Sequence, residues 1–411
     1  MGITCDDVVL IRHAQNEGDP TIVTVNCPDK TGLGCDLCRI ILQFSLSIVR
    51  GDISTDGKWC YIVLWVVSRP GHAVRWSNLK KRLISACPSC SSAASLYCSP
   101  SLEASPKPPQ VYLLKFSSPN RSGLLHDVTE VLCELELTIK RVKVSTTPDG
   151  NVMDLFFITD TRELMHTKKR QLDTCEQLRA VLGESVIQCE IEPADPEMGG
   201  HQCSSFILPA IPDELLNVDD EEPSPLDKLN HLSVTVDNSL RPSHTLIQIL
   251  CRDHKGLLYD IMRTLKDYNI QISYGRFSAR WKQLCEVDLF VMQADGKKVV
   301  DAEKQNALCS RLRSELLHPL RVMVVGRGPD TELLVANPVE LSGKGRPLVF
   351  FDITLALRML GISIFSAEIG RHVMGDREWE VYRILLDDSH DHSQARNQIE
   401  EGVRKMLMGW Q

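Results

Sequence analysis

The feature that most restricts this chain is a short pattern that returns along it. Three segments run from an apolar strand through a polar turn to Gly-Leu, then into an apolar helix. They are Thr21–Leu33 (TIVTVNCPDKTGL), Val111–Leu124 (VYLLKFSSPNRSGL) and Thr245–Leu257 (TLIQILCRDHKGL). If a helix starts at each leucine, positions +4, +7, +8 and +11 face a core. They hold Leu37, Ile40, Ile41 and Phe44 in the first copy, and Val128, Val131, Leu132 and Leu135 in the second. The third has Ile261, Thr264, Leu265 and Tyr268, with one polar exception. A second strand follows at Leu46-Ser-Ile48, Leu137-Thr-Ile139 and Ile270-Gln-Ile272, each ending 15 residues beyond its leucine. The template finds a fourth copy at Val349, with Ile353, Ala356, Leu357 and Leu360 on the helix face and Ile362-Ser-Ile364 at the same offset. Its turn, Gly345-Arg-Pro-Leu348, lacks the Asp/Asn-x-x-Gly form, so this copy keeps the core and loses the loop chemistry.

The remainder of each copy completes a βαββαβ unit. Asp56-Gly57 and Asp149-Gly150 signal hairpins. Apolar third strands are expected at Cys60–Val67, Val152–Ile158, Glu286–Met292 and Glu380–Leu386. Helical patterns follow around Val74–Ala86, Glu163–Leu182, Val299–Leu317 and Gln394–Met408. Closing strands are expected at Val186–Ile191 and Arg321–Val325 and are indistinct in copies one and four. That order implies an α+β fold, four tandem ferredoxin-like modules with antiparallel four-stranded sheets and two helices on one face. Equivalent positions are 91, 133 and 92 residues apart, which suggests two close pairs and a longer link. The expected organisation is module 1 over 1–105, with an extra N-terminal strand and a Ser/Pro/Cys loop, and module 2 over 106–195. An acidic, Pro-containing linker, read as solvated, occupies 196–230. Module 3, with an extra strand, takes 231–328 and a degenerate module 4 takes 329–411. The extra strands are Val8–Ile11 and Leu232–Val236, which can each add an edge to a pair.

Composition narrows the partners. Lys+Arg number 46 against Asp+Glu 54, a net charge of -8, which suits neither nucleic acid nor an anionic membrane. No apolar run reaches the ~18–20 residues that cross a bilayer. Met1-Gly2 invites acylation at Gly2 or Cys5, but the position that wants Ser or Thr is Asp6. Fifteen cysteines, irregularly spaced and with no secretory leader, read as reduced thiols of the cytoplasm, with the nucleus open.

The repeated turn joins a first strand to a first helix. A helix start offers backbone N–H groups and partial positive charge to a carboxylate. Gly32, Gly123 and Gly256 permit positive φ or close approach. Asp29, Asn120 and Asp253 can accept hydrogen bonds from an ammonium group, so the turn suits an α-amino acid. The candidate ligand-binding residues are Asp29, Thr31, Gly32 and Leu33; Asn120, Ser122, Gly123 and Leu124; and Asp253, Lys255, Gly256 and Leu257. The competing reading is local: Asp and Asn also cap helices and shape turns.

The pattern of strand, Asp-x-x-Gly-Leu, helix and Leu/Ile-x-Ile resembles the ACT domain, an amino-acid-binding regulatory module. CPDKTGL (27–33) and CRDHKGL (251–257) are close to its usual form, and Asn120 replaces Asp in copy two. Four tandem copies without a catalytic domain look like the plant ACT-domain-repeat proteins. Two such domains end the bacterial uridylyltransferase that senses glutamine. The resemblance implies paired modules in a continuous sheet, ligands between them, and glutamine as the leading ligand. It implies a non-catalytic sensor that needs no cofactor or metal and signals through a protein partner. A scaffold without ligand remains the alternative, and self-association through sheet edges stays open.

Other chemistries are weaker. Cys35-x-x-Cys38 and Cys87-x-x-Cys90 have zinc spacing, but the first lies in a helix around Leu37 and the second in a Ser-rich loop. Cys87, Cys90 and Cys98 could form an oxidisable cluster. The RNA-recognition fold shares the strand order but needs strand aromatics in a pattern absent here. No P-loop, Gly-x-Ser-x-Gly or His-Glu-x-x-His occurs, and His390 and His392 stand in an acidic loop.

Overall fold

The computed structural model describes residues 8–16, 18–68, 74–88, 110–183, 186–194, 211–216, 232–280, 284–328, 330–375, 377–386 and 396–409. The acylation motif, Cys90, Cys98, His390, His392 and most of the linker lie outside them.

Module 1 contains β1 (Val9–Arg12), β2 (Thr21–Pro28), α1 (Leu33–Gln43), β3 (Leu46–Thr55), β4 (Trp59–Ser68) and α2 (Trp76–Ala86). Module 2 contains β5 (Tyr112–Pro119), α3 (Leu124–Glu134), β6 (Leu137–Thr146), β7 (Asn151–Asp160), α4 (Lys168–Leu182) and β8 (Gln188–Pro193), followed by the single turn α5 (Asp213–Leu216). Module 3 contains β9 (Ser233–Asp237), β10 (Thr245–Arg252), α6 (Leu257–Asp267), β11 (Ile270–Arg280), β12 (Leu284–Gln293) and α7 (Ala302–Leu317). Module 4 contains β13 (Arg321–Arg327), β14 (Asp330–Pro338), α8 (Val349–Met359), β15 (Ile364–Met374), β16 (Arg377–Leu386) and α9 (Arg396–Met408).

These elements form two compact units. One joins Met1–Glu103 to Val218–Pro319, the other Ala104–Asn217 to Leu320–Gln411. Each holds one eight-stranded sheet, in the orders β1-β2-β4-β3-β11-β12-β10-β9 and β13-β14-β16-β15-β6-β7-β5-β8. Two pairs of ferredoxin-like modules are therefore present, with a different pairing from the one the spacing suggests. Module 1 joins module 3 through β3 and β11, with Gly51 opposite Phe277 and Ile53 opposite Gly275. Module 2 joins module 4 through β6 and β15, with Val144 opposite Ala367.

Two strand expectations change. Arg321–Val325 was expected to close module 3, yet β13 pairs with β14 of module 4, Val322 opposite Val335. In modules 1, 3 and 4 the outer strand precedes the first strand, as β1, β9 and β13; only in module 2 does it follow, as β8. The linker also needs correction at 213–216. Leu215 and Leu216 are buried with Leu334, Ala336, Trp379 and Val381, a face of β14 and β16 that would otherwise be wet. Arg321 donates to the carbonyl oxygens of Leu215 and Leu216 and lies 4.4 Å over the Trp379 ring, so the turn is anchored.

The helix faces explain why the sheets are covered. Positions +4, +7 and +8 are buried in all four copies. Position +11 is not: Tyr268 and Leu360 are 40% and 41% exposed. All four helices stop one residue before that position, which is buried only as Phe44 in module 1. Thr264, the polar exception, is buried with its hydroxyl donating to the Asp260 carbonyl at 2.8 Å, which satisfies it inside the helix.

Candidate functional site

Gly32, Gly123 and Gly256 adopt φ of +78°, +75° and +84° at the starts of α1, α3 and α6. None of these helices has a side-chain cap, so the conserved geometry of the turn comes from the glycine and not from Asp29, Asn120 or Asp253 acting as N-caps. Asp29 instead accepts a 2.6 Å hydrogen bond from the Thr55 hydroxyl, tying the turn to the end of β3. Asp253 is half-buried; that burial raises its carboxyl, against a hydrogen bond from the Cys285 thiol that lowers it. Leu33, Leu124 and Leu257 are buried core residues at 2–3% exposure, whereas Thr31, Asn120 and Ser122 are exposed. Lys255 and Gly256 are half-buried.

The structure adds residues that the turn motif does not reveal. In module 1, Lys30 sits 3.0 Å from Asp36 in the first turn of α1, and Lys266 of α6 reaches the same carboxylate at 3.5 Å. In module 2, Arg121 and Arg358 of α8 both lie 2.6 Å from Asp127. In module 3 the corresponding pair is His254 and Asp260, 3.9 Å apart and buried. The signal was available in the sequence: three residues before each starting leucine the chain is basic, and three residues after each start it carries Asp36, Asp127, Asp260 and Asp352.

The cross-module cations are placed asymmetrically. A methyl group at Gly32 would lie 2.7 Å from the Lys266 side chain, and one at Gly123 would lie 3.2 Å from Arg358. These cations occupy the ninth position after Leu257 and Val349; modules 1 and 2 have Leu42 and Cys133 there. Each pair thus places a cation over the glycine turn of one module and supplies none from that position to the other.

In unit 2 the turn opens on a pocket of about 30 Å³. Asn120, Gly123, Leu124, Val144 and Asp154 line it from module 2, with Thr354, Leu357 and Arg358 from module 4. His126 at its edge is buried; Thr354 lies 3.1 Å from its Nδ1, and burial lowers the imidazole. Ser122 is not part of the lining.

Module 4 fills its own turn. Leu348 takes φ of +63° at the start of α8, holding the glycine conformation without glycine. The Asn337 amide donates to the Arg346 carbonyl and to Glu380, both at 3.1 Å, and Tyr382 also donates to Glu380. A methyl group at Gly345 would lie 2.7 Å from the Asn337 amide nitrogen, so this network leaves the turn closed.

The thiol chemistry is mostly core packing. Cys35 and Cys38 are 2% and 3% exposed inside α1, and burial pushes the Cys38 thiol up to about 12. Among the described residues no group of His, Cys, Asp or Glu side chains could hold a metal ion. Cys87 lies half-buried at the end of α2 and hydrogen-bonds Cys27, which lowers its own thiol and raises that of Cys27. Among the described residues, no helix is long and apolar enough to cross a membrane.

Paired ferredoxin-like modules, with a glycine-started helix of one module against the first helix of the other, define the class: tandem ACT-like regulatory modules. Family models match in agreement. Residues 11–88 match ACT domain-containing protein ACR10, N-terminal; 233–330 match ACR9-like, ACT-like domain; 331–409 match ACT domain-containing protein ACR9, C-terminal. ACT domain-containing proteins ACR10 and ACR9 of Arabidopsis thaliana are 56% and 57% identical, with all of this chain and all of each relative covered. The bifunctional uridylyltransferase/uridylyl-removing enzyme of Phenylobacterium zucineum is 25% identical over 201 residues, 48% of this chain and 19% of that enzyme. The chain belongs to the ACT domain-containing protein family of ACR9 and ACR10.

Proposed function

We propose that the chain is an amino-acid sensor: a free amino acid binds at a glycine turn, against the first helix of the paired module, and changes what a partner protein encounters. The observation that carries this is the unit 2 pocket, where Asn120, Gly123 and Leu124 meet Thr354, Leu357 and Arg358 of the other module. The helix start and Arg358 suit a carboxylate, and the Asn120 amide oxygen suits an ammonium group. In unit 1 the equivalent elements are Asp29, Thr31, Gly32 and Leu33 with Lys266, and Asp253, Lys255, Gly256 and Leu257 form the third turn. Glutamine is the leading ligand, on the likeness to the uridylyltransferase. Reduced cysteines, eleven of them described as free thiols, fit the cytoplasm or nucleus.

A second reading, a protein-interaction scaffold, draws support from module 4, whose turn is closed by its own side chains. Thermal unfolding of the full chain separates the two. A sensor is stabilised by ~RT ln(1 + [L]/Kd) when its ligand is present. Glutamine at millimolar concentration is expected to raise the melting temperature. If none of the amino acids does so, the scaffold reading replaces this one.

A further inference from the structure

We propose that Asp154 binds the ammonium group of the ligand, so that the unit 2 pocket takes a free, zwitterionic amino acid. This rests on the sensor reading above and adds to it the residue that holds the ammonium group.

Asp154 stands at a core position. Counted from the hairpin, β7 begins with Asn151 opposite Pro119, as β4 begins with Trp59 opposite Pro28 and β12 with Leu284 opposite Arg252. The residue three places on is Ile62 in module 1, Val287 in module 3 and Asp154 in module 2. All three are buried, at 1%, 0% and 1% exposure. Across the ladder Asp154 faces Phe116 and Val144, which are also buried. Its Oδ1 has no hydrogen-bond partner. A carboxyl in such a place destabilises the fold unless something else uses it.

What it can meet is the pocket, since Asp154 lines it together with Asn120, Gly123 and Arg358. The charged groups around that pocket are already engaged. Arg121 and Arg358 pair with Asp127, and His126 meets Thr354. Among the described residues no cation pairs with Asp154, so a cation that stabilises its ionised form has to arrive with the ligand. The volume of about 30 Å³ holds about two waters, enough for an ammonium group at the inner end. The ligand carboxylate then lies at the start of α3 beside Arg358, whose side chain is 48% exposed and can shift to admit it.

Burial pushes the Asp154 carboxyl up to about 8. Near neutral pH it is therefore protonated when the pocket is empty, and pairing with an ammonium group releases that proton to solvent. Affinity rises about tenfold per pH unit towards pH 8 and then levels off. Arg121, Asp127 and Arg358 are the charged groups that face the pocket, and His126, lowered by burial, is neutral there.

The test uses the full chain, with glutamine, each other standard amino acid and their N-acetyl derivatives as probes. We expect one free amino acid to raise the melting temperature and its N-acetyl derivative to leave it unchanged. Calorimetric titration should show release of one proton at pH 7. The isosteric Asp154→Asn should weaken binding at least tenfold and abolish the pH dependence, and Asp154→Val should do the same. The assignment is overturned if both variants bind as the wild type does, if the N-acetyl form binds equally, or if affinity is independent of pH; the sensor reading survives each of these. If no amino acid stabilises the wild type, the sensor reading falls and Asp154 with it.

Discussion

Asp154 also sets how unit 2 responds to pH. Its carboxyl is raised from an ordinary 3.8 to about 8 by burial. Below the lower value the folded and unfolded chains both hold the proton. Between the two values the unfolded chain has released it while the folded chain keeps it, so stability falls as pH rises through that window. Asp154→Val, the residue type of module 3, removes that fall. The variant should melt close to the wild type at pH 4 and several degrees above it at pH 8, where each kcal/mol is worth about 2–4 °C in a unit of this size. Differential scanning calorimetry across that range checks it; a gain independent of pH would mean that packing, not ionisation, is what the valine changes. Such a gain in stability at the expense of binding is usual for a residue kept for function.

At the scale of elements, the seam of unit 1 depends on small residues. A methyl group at Gly275 would lie 2.8 Å from Leu289, and one at Gly51 would lie 3.0 Å from Leu64. Gly275→Val should therefore destabilise unit 1 by about 1–3 kcal/mol through overpacking, read as a lower urea midpoint. Much of this level was legible in the residues. Gly-Leu marked where α1, α3 and α6 start, and the 3.6-residue spacing marked what they bury. What the sequence concealed was partnership. β3 pairs with β11 through backbone groups, which are the same in every strand, and each of the four modules offers a similar edge. Connector length was the available clue, and it pointed to the wrong neighbours. Arg321–Val325 misled in the same way: it follows α7 closely but pairs with β14. The site was legible as a turn, because Asn120 and Gly123 belong to a repeat. Asp154 was not, because one aspartate in an alternating strand looks like an outward-facing position until the register shows which face it occupies.

At the scale of the molecule, the chain passes between its units three times, since each unit is built from an early and a late segment. Cutting it in the middle should not release two stable halves. A fragment of residues 1–217 contains β3 and β6 without β11 and β15, so both sheets end in open edges, and α1 and α3 lose α6 and α8 while keeping α2 and α4. We expect it to be poorly folded or self-associated by circular dichroism and size exclusion, and to recover a folded complex when mixed with residues 218–411. A monomeric, cooperatively folding fragment would contradict the pairing.

The alternate joining of modules has a further consequence during synthesis. β3 ends at Thr55, but its neighbour β11 is complete only at Arg280. At roughly 5–20 residues per second the nascent first module waits on the order of tens of seconds for that neighbour, as the second module later waits for the fourth. Throughout that interval the margin of β3 from Arg50 to Ser54 presents unpaired backbone N–H and C=O groups, an opening for mispairing with any other strand the nascent chain meets.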